Sequence, residues 1–417
     1  MPDLAHDTSK PDAGSSSVAT AGALALLMVL TALGQVATNL VVPALGSITD
    51  ELGFDVGLTG FIISAVLLGI GVGQLIVGPL SDRLGRRLPL LCGLALYVTA
   101  SLAAMLASSA TSLLLARFCQ GLGASAGLAL PRAIARDRYP GPVFLRVTML
   151  LTLAMAVAPG LAPLAGGLVS QHFGWRAALA ISAAVGFAVL AVTVRALPES
   201  HHDRTHGGGL AGTVSGYASV LRRRMFLTYA LASAATIGGI YCQVTTVQGL
   251  YEHAFGWDPS WVACVPLIYS TGFLAGGFVA SRLRLGQVNT IRLGLLLITL
   301  SAAALLAAVG CGLMSAPVAI AFVMVSQAGV ALVMPSTIGL ALMAVEGAAG
   351  TASAVMGALH MSVGAVGAAL VGATSVPTTW ALPAGMLGFA LLASLCVLAA
   401  RPSVRTADQE DLDQMFV

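Results

Sequence analysis

The sequence predicts an all-α integral membrane protein, built as two six-helix bundles (6+6) around a central cavity. Three observations predict it. Apolar residues fill 57% of the 417 positions and charged residues only 9%, with a mean hydropathy of +0.92, far from a soluble globular average. Twelve apolar runs of membrane-crossing length follow one another in two series of six. The basic residues fall on alternate connections, which assigns nearly all of them to one side of the bilayer.

The first series occupies 21–45, 58–80, 88–107, 112–134, 143–169 and 177–196. Each run carries enough apolar residues to cross about 30 Å of hydrocarbon as a helix. The second run contains Gly69, Gly71, Gly73 and Gly78, small residues that let membrane helices approach closely, since packing rather than a hydrophobic drive brings them together. It ends in the charged turn "GPLSDRLGRR", which concentrates Asp82, Arg83, Arg86 and Arg87 between two uncharged runs. The fourth run holds Arg117 and Gln120, three apart and so on one helical face. An arginine in hydrocarbon costs several kcal/mol, so Arg117 either faces the bundle interior and engages carbonyls, water or an anion, or snorkels to the nearer surface. The fifth run reads "AVAPGLAPLAGG", where Pro159 and Pro163 remove backbone donors beside Gly166 and Gly167.

The second series occupies 225–250, 261–281, 290–314, 317–344, 350–373 and 380–400. Laying Gly78 on Gly277 sets "GFVASRL" against "GPLSDRL", so Arg83 meets Arg282 while Asp82 meets Ser281. The same offset places the seventh run over the first, as parallel repeats about an axis along the membrane normal require. The domain division follows: a disordered tail at 1–17, an N-terminal bundle at 18–196, a linker at 197–224, a C-terminal bundle at 225–400 and a second tail at 401–417. The linker is Gly-rich at its start and basic at its end.

Topology follows from the arginines and lysine, because cytoplasmic loops retain them. Lys10, Arg83, Arg86, Arg87, Arg132, Arg136, Arg138, Arg146, Arg195, Arg204, Arg222, Arg223, Arg224, Arg282, Arg284, Arg292, Arg401 and Arg405 share one side, and Arg176 alone lies opposite. Both termini are therefore expected in the cytoplasm. A net charge of +3, spread over short loops, argues against a nucleic-acid partner. The six cysteines lie in apolar runs without a CxxC pair and read as free thiols, and the linker's His201, His202 and His206 read as a solvated loop rather than a metal site. No paired catalytic groups converge within the runs, so neither an enzyme nor a resident cofactor is expected.

Four segments carry a family resemblance: "GQLIVGPLSDRLGRR", "LLLARFCQGLGAS", "RAIARDRYP" and "GTASAVMGALH". Together they resemble the major facilitator superfamily and, within it, the drug:proton antiporters of the bicyclomycin and chloramphenicol resistance (Bcr/CflA) group. The resemblance implies a major facilitator fold in the cell inner membrane, monomeric function, and efflux driven by the proton gradient. It also implies a conformational latch made by Gly78, Asp82, Arg83, Gly85, Arg86 and Arg87. Asp82 is expected to accept hydrogen bonds from a facing helix N-terminus at "GTASA", and Arg83 and Arg86 to pair with Asp137 or Glu346. Otherwise these arginines only set topology. Pro159, Pro163, Gly166 and Gly167 are similar to the antiporter signature, with Ala162 where a glycine usually stands, and Arg117 matches an arginine implicated in proton coupling.

One departure bears on coupling. Asn39 stands where that group usually shows an Asp, and no carboxylate lies in the middle of any run. A buried carboxylate is the usual exchanging group, because desolvation lifts its pKa. His360 in the eleventh run is the remaining intramembrane candidate, and it is alternatively a packed hydrogen-bonding residue. Substrate and coupling candidates are Gln35, Asn39, Arg117, Gln120, Tyr241, Gln243 and His360, with Thr31, Thr236, Tyr269 and Gln327 as further polar lining. Such a sparse, mostly neutral lining suits neutral or anionic amphipathic small molecules. The expected function is export of such compounds by alternating access; the alternative is an uncoupled facilitator or uptake permease on the same scaffold.

Overall fold

A computed structural model describes residues 13–53, 59–139, 141–200, 209–283, 285–345, 348–374 and 377–400. Lys10, Asp55, His201, His202, Arg204, His206, Arg284, Glu346, Arg401 and Arg405 lie outside these residues, as do 1–12 of the first tail and all of the second. Among the described residues every regular element is a helix and none is a strand.

Among the described residues twelve helices are long and apolar enough to cross a membrane. The N-terminal half contains α1 (Ala13–Asn39), α2 (Leu45–Leu52), α3 (Thr59–Leu84), α4 (Arg87–Met105), α5 (Ala110–Arg138), α6 (Gly141–Phe173) and α7 (Trp175–Ala196). A 3₁₀ turn at Val42–Ala44 joins α1 to α2 within the first span, where Pro43 removes a backbone donor. The linker carries α8 (Gly209–Leu221). The C-terminal half contains α9 (Arg224–Gln248), α10 (Pro259–Val262), α11 (Val265–Arg282), α12 (Gln287–Gly310), α13 (Ala316–Met343), α14 (Ala349–Gly372) and α15 (Thr378–Ala399).

Two boundaries differ from expectation. Ala13 to Ser17, placed in the tail by sequence, already belong to α1. No proline interrupts "AGSSSVATAGAL", so the helix runs on past the apolar core into its polar flank. The linker is also not wholly irregular, since "GLAGTVSGYASVL" forms α8.

Each half has its own apolar core. Leu27, Leu30, Ile63, Leu67 and Leu94 anchor the first, and Phe226, Ala230, Ile291 and Val333 the second. Tyr241, Met361, Ala365 and Ala368 of the C-terminal half join the first core, so the halves are packed together along α3 and α14. They meet at two seams, α3 against α14 and α6 against α11. Under the internal repeat these seams are equivalent, because α3 corresponds to α11 and α6 to α14.

Glycine makes the close approaches. A Cβ on Gly69 would strike the Phe118 carbonyl of α5, one on Gly73 would strike Ser125, and one on Gly71 would press on Ala358 and Met361 of α14 at 3.3 Å. Gly78 differs from its neighbours, since the space around its Cα is open. Its place in the turn does not depend on close packing.

Candidate functional site

The charged turn between α3 and α4 is built around Arg86, whose side chain is buried. Its Nη1 donates to Asp82 at 2.5 Å and to Ser81 at 2.7 Å, and its Nε donates to Asp137 at 3.1 Å. Asp82 lies one helical turn before Arg86, and Asp137 comes from the end of α5. A guanidinium forks well between two carboxylates, and burial makes such pairing necessary. The expected Arg86–Asp137 pair is present.

Asp82 is placed otherwise than expected. Its carboxylate goes to Arg86 rather than to the N-terminus of α14. The anion at a helix N-terminus is instead Glu199, just beyond α7, which accepts the backbone amides of Arg86 at 2.8 Å and Arg87 at 3.1 Å. Those two amides open α4, where the unsatisfied N–H groups and the helix dipole favour negative charge. Gly85 makes room for the contact: its φ of +89° is left-handed, and a Cβ there would strike the Glu199 carboxylate. Arg87 reaches the Val194 carbonyl at 2.7 Å, and Arg83 reaches Thr213 of α8 at 3.3 Å. The turn is thus tied to α5, α7 and the linker helix.

A second polar cluster lies inside the N-terminal bundle. Arg117 is fully buried, so it does not snorkel. Its Nη1 donates to the Ala37 carbonyl at 2.9 Å and to Gln120 at 2.6 Å. Ala37 sits in the last turn of α1, whose carbonyls lack intrahelical donors, so the break after Asn39 supplies the acceptor. Gln120 donates in turn to Ser101 at 2.7 Å and Ser182 at 3.1 Å, and Ser182 meets the Tyr97 hydroxyl at 2.5 Å. Among the described residues no carboxylate pairs with Arg117, and its Nε and Nη2 have no hydrogen-bond partner. Asn39 is turned back on its own helix, donating to Gln35.

The other candidates lie in the C-terminal half. His360 Nε2 pairs with Ser233 Oγ of α9 at 2.7 Å, buried between α9 and α14. Gln243 accepts from Gln327 at 3.0 Å, Tyr241 packs on Gly364, and Tyr269 meets the Tyr251 hydroxyl at 2.9 Å. The candidates are therefore split between two clusters, one around Arg117 and one along α9. No group of three His, Cys, Asp or Glu residues among the described ones is arranged to hold a metal ion.

The two seams differ in depth. Along α3 and α14 the contacts run from Gly60 to Gln74: Gly60 lies on Ala368 and Gly372, Ser64 donates to the Ala365 carbonyl at 2.7 Å, and Gln74 lies on Gly357. Along α6 the contacts with α11 and the preceding α10 turn include Gly160 on Leu267 and Ser270, Gly167 on Ala263, and Gln171 with Ser260 at 3.1 Å. Gly166 on the same helix lies against the Leu40 carbonyl, so the proline and glycine stretch packs on α1 and on the C-terminal half at once. Beside these contacts, at Val157, lies a crevice of about 210 Å³, lined by Leu267, Ser270, Thr271, Phe273, Leu274 and Gln327 as well.

Residues 24–368 match the family model of the Major Facilitator Superfamily. The chain belongs to that superfamily. A transporter of Bacillus subtilis, the uncharacterised MFS-type transporter YdgK, is 30% identical over 87% of this chain and 91% of its own. Multidrug resistance protein D of Escherichia coli is 38% identical over 37% of this chain and 39% of its own, and a chloramphenicol resistance protein of Pseudomonas aeruginosa is 37% identical over 45% of each. In three dimensions the chain is similar to a bacterial homolog of the human lysosomal transporter Spinster in an inward-facing, unoccupied conformation, with a TM-score of 0.69 at 15% identity, covering 93% of this chain and 96% of the other. That likeness establishes the major facilitator fold. The protein is a multi-pass membrane transporter, as its relatives are.

Two residues of this major facilitator escaped the sequence, one at the charged turn and one beside His360. Glu199 follows a proline at the edge of the linker, where a lone acid reads as solvated. The signal available was an acid immediately after a span whose neighbouring span opens on two arginines. Ser233 carried no signal, since a serine on a membrane helix most often bonds its own backbone.

Proposed function

We propose that this transporter exports small amphipathic organic compounds by alternating access, in antiport with protons. The reading rests on the inequality of two repeat-related seams, one in close contact from Gly60 to Gln74 and the other holding a crevice beside Val157. Two bundles that meet through small residues can part at one end while touching at the other. The arginine-rich end is the cytoplasmic one by the distribution of basic residues, and both termini face that side of the inner membrane.

The crevice supports the substrate class. Leucine, valine and phenylalanine line it, with two hydroxyls and one amide to orient a polar group, and no charge. The names of the resistance relatives support the same class, although each match spans under half of either chain. His360 is the proposed proton carrier and Arg117 the charge that responds to it. The protein works as a monomer, with the bilayer and the exported compound as its partners.

Cells with and without the gene, loaded with radiolabelled chloramphenicol, test this directly. Lower accumulation in expressing cells, abolished by a protonophore, is the expected result. Equal accumulation under both conditions contradicts export of this class, and higher accumulation marks an uptake permease.

A further inference from the structure

Pro79 lies inside α3 and has no amide hydrogen, so the Leu75 carbonyl one turn earlier loses the donor a continuous helix would supply. In a membrane helix such a carbonyl has to be satisfied by a neighbour. The neighbour comes from outside both bundles: the Tyr217 hydroxyl of α8 donates to Leu75 O at 2.7 Å. On the same helix, Thr213 accepts from Arg83 at 3.3 Å, beyond the proline at the end of α3. The helix also packs on the C-terminal half. Val220 is fully buried in that core, Tyr217 and Leu75 both pack against it, and a Cβ on Gly216 would meet the Thr351 methyl of α14 at 3.8 Å. Burial first, and the Asp82 carboxylate second, push the Tyr217 phenol above its usual range, so it stays a donor at physiological pH.

We propose that α8 is a strap tying α3 to the C-terminal bundle, and that Tyr217 is a positioning residue which acts through the proline-freed Leu75 carbonyl to hold the α3–α14 seam shut at the arginine-rich end. The strap has a chemical logic. A carbonyl already paired in its helix gains little from a further donor, whereas one left bare by proline gives the linker a specific place to dock. Separation of α3 from α14 requires α8 to leave one of them. The docking stands on these contacts alone; its consequence for transport rests on alternating access.

The test uses spin labels at Ser215 of α8 and Leu84 of α3, both exposed, in the full chain with its native cysteines replaced. Wild type is expected to show one dominant short distance. Tyr217→Phe should raise the undocked fraction about two- to tenfold, the ratio that one neutral hydrogen bond supports. Pro79→Ala restores a backbone donor to Leu75, and in that background Tyr217→Phe should change nothing further. An unchanged distribution in Tyr217→Phe, or two effects that add independently, overturns the strap. Because the distances need no substrate and no gradient, they separate failure of the strap from failure of the export assignment.

Discussion

The Glu199 carboxylate accepts the backbone amide of Arg86 at 2.8 Å, so the acid just beyond α7 caps the start of α4. Glu199→Ala is expected to cost about 1–2 kcal/mol, the range for losing a helix cap together with its favourable dipole interaction. Glu199→Gln, which keeps an acceptor and loses the charge, should cost less than half of that. Denaturant unfolding of the purified protein in detergent reads both values.

Arg86 sits between two carboxylates of unequal exposure, and that inequality orders their substitutions. Asp82 is about half exposed while Asp137 is largely buried, with side-chain accessibilities of 54% and 14%. Asp82→Asn should leave insertion and stability nearly intact while lowering transport and shifting the conformer distribution. Asp137→Asn should be the more destabilising change, by about 1–3 kcal/mol, because it strips a buried guanidinium of its better-shielded partner. Equal thermal stability of the two variants would remove the distinction.

Glycines of the two bundles fall into two groups that a stability screen should separate. Gly166→Ala drives a methyl group into the Leu40 carbonyl and is expected to cost about 1–3 kcal/mol. Gly78→Ala meets open space and should be neutral or stabilising by up to about 1 kcal/mol, since alanine favours the helix. Any transport defect in Gly78→Ala would then belong to movement of the turn and not to packing.

Arg117 and His360 carry the coupling hypothesis. Arg117→Met removes a buried cation that has no carboxylate partner among the described residues, so the fold should be retained while gradient-driven export is lost. His360→Ala should abolish export against a concentration gradient but leave equilibrative flux. If His360→Ala still concentrates substrate and collapses with a protonophore, His360 is not the proton carrier.

The fold was legible because a bilayer leaves few options. Apolar runs long enough to span must be helices, and the alternation of arginine-rich and arginine-poor connections checks their number. Arg86 with Asp137, and the inward orientation of Arg117, were legible for the same reason, since each charge had few places to go. The partners of Asp82 and the N-terminus of α4 were not. Asp82 lies in the last turn of α3 and Glu199 just beyond the end of α7, and the left-handed Gly85 leaves the space through which Glu199 reaches the amides. Tyr217 was hidden because its acceptor is a backbone carbonyl exposed by a proline 138 positions earlier in the chain.

The central claim is that the two bundles close opposite ends in turn. Distance measurements on two label pairs across the α6–α11 seam test it most directly, one pair at Gln171 and Ser260 and the other at Arg146 and Arg282. Two populations are expected for each pair, with the short distance at one end accompanying the long distance at the other, and a shift in their balance with pH or bound phenicol. A single fixed distance at both ends under all conditions would contradict it.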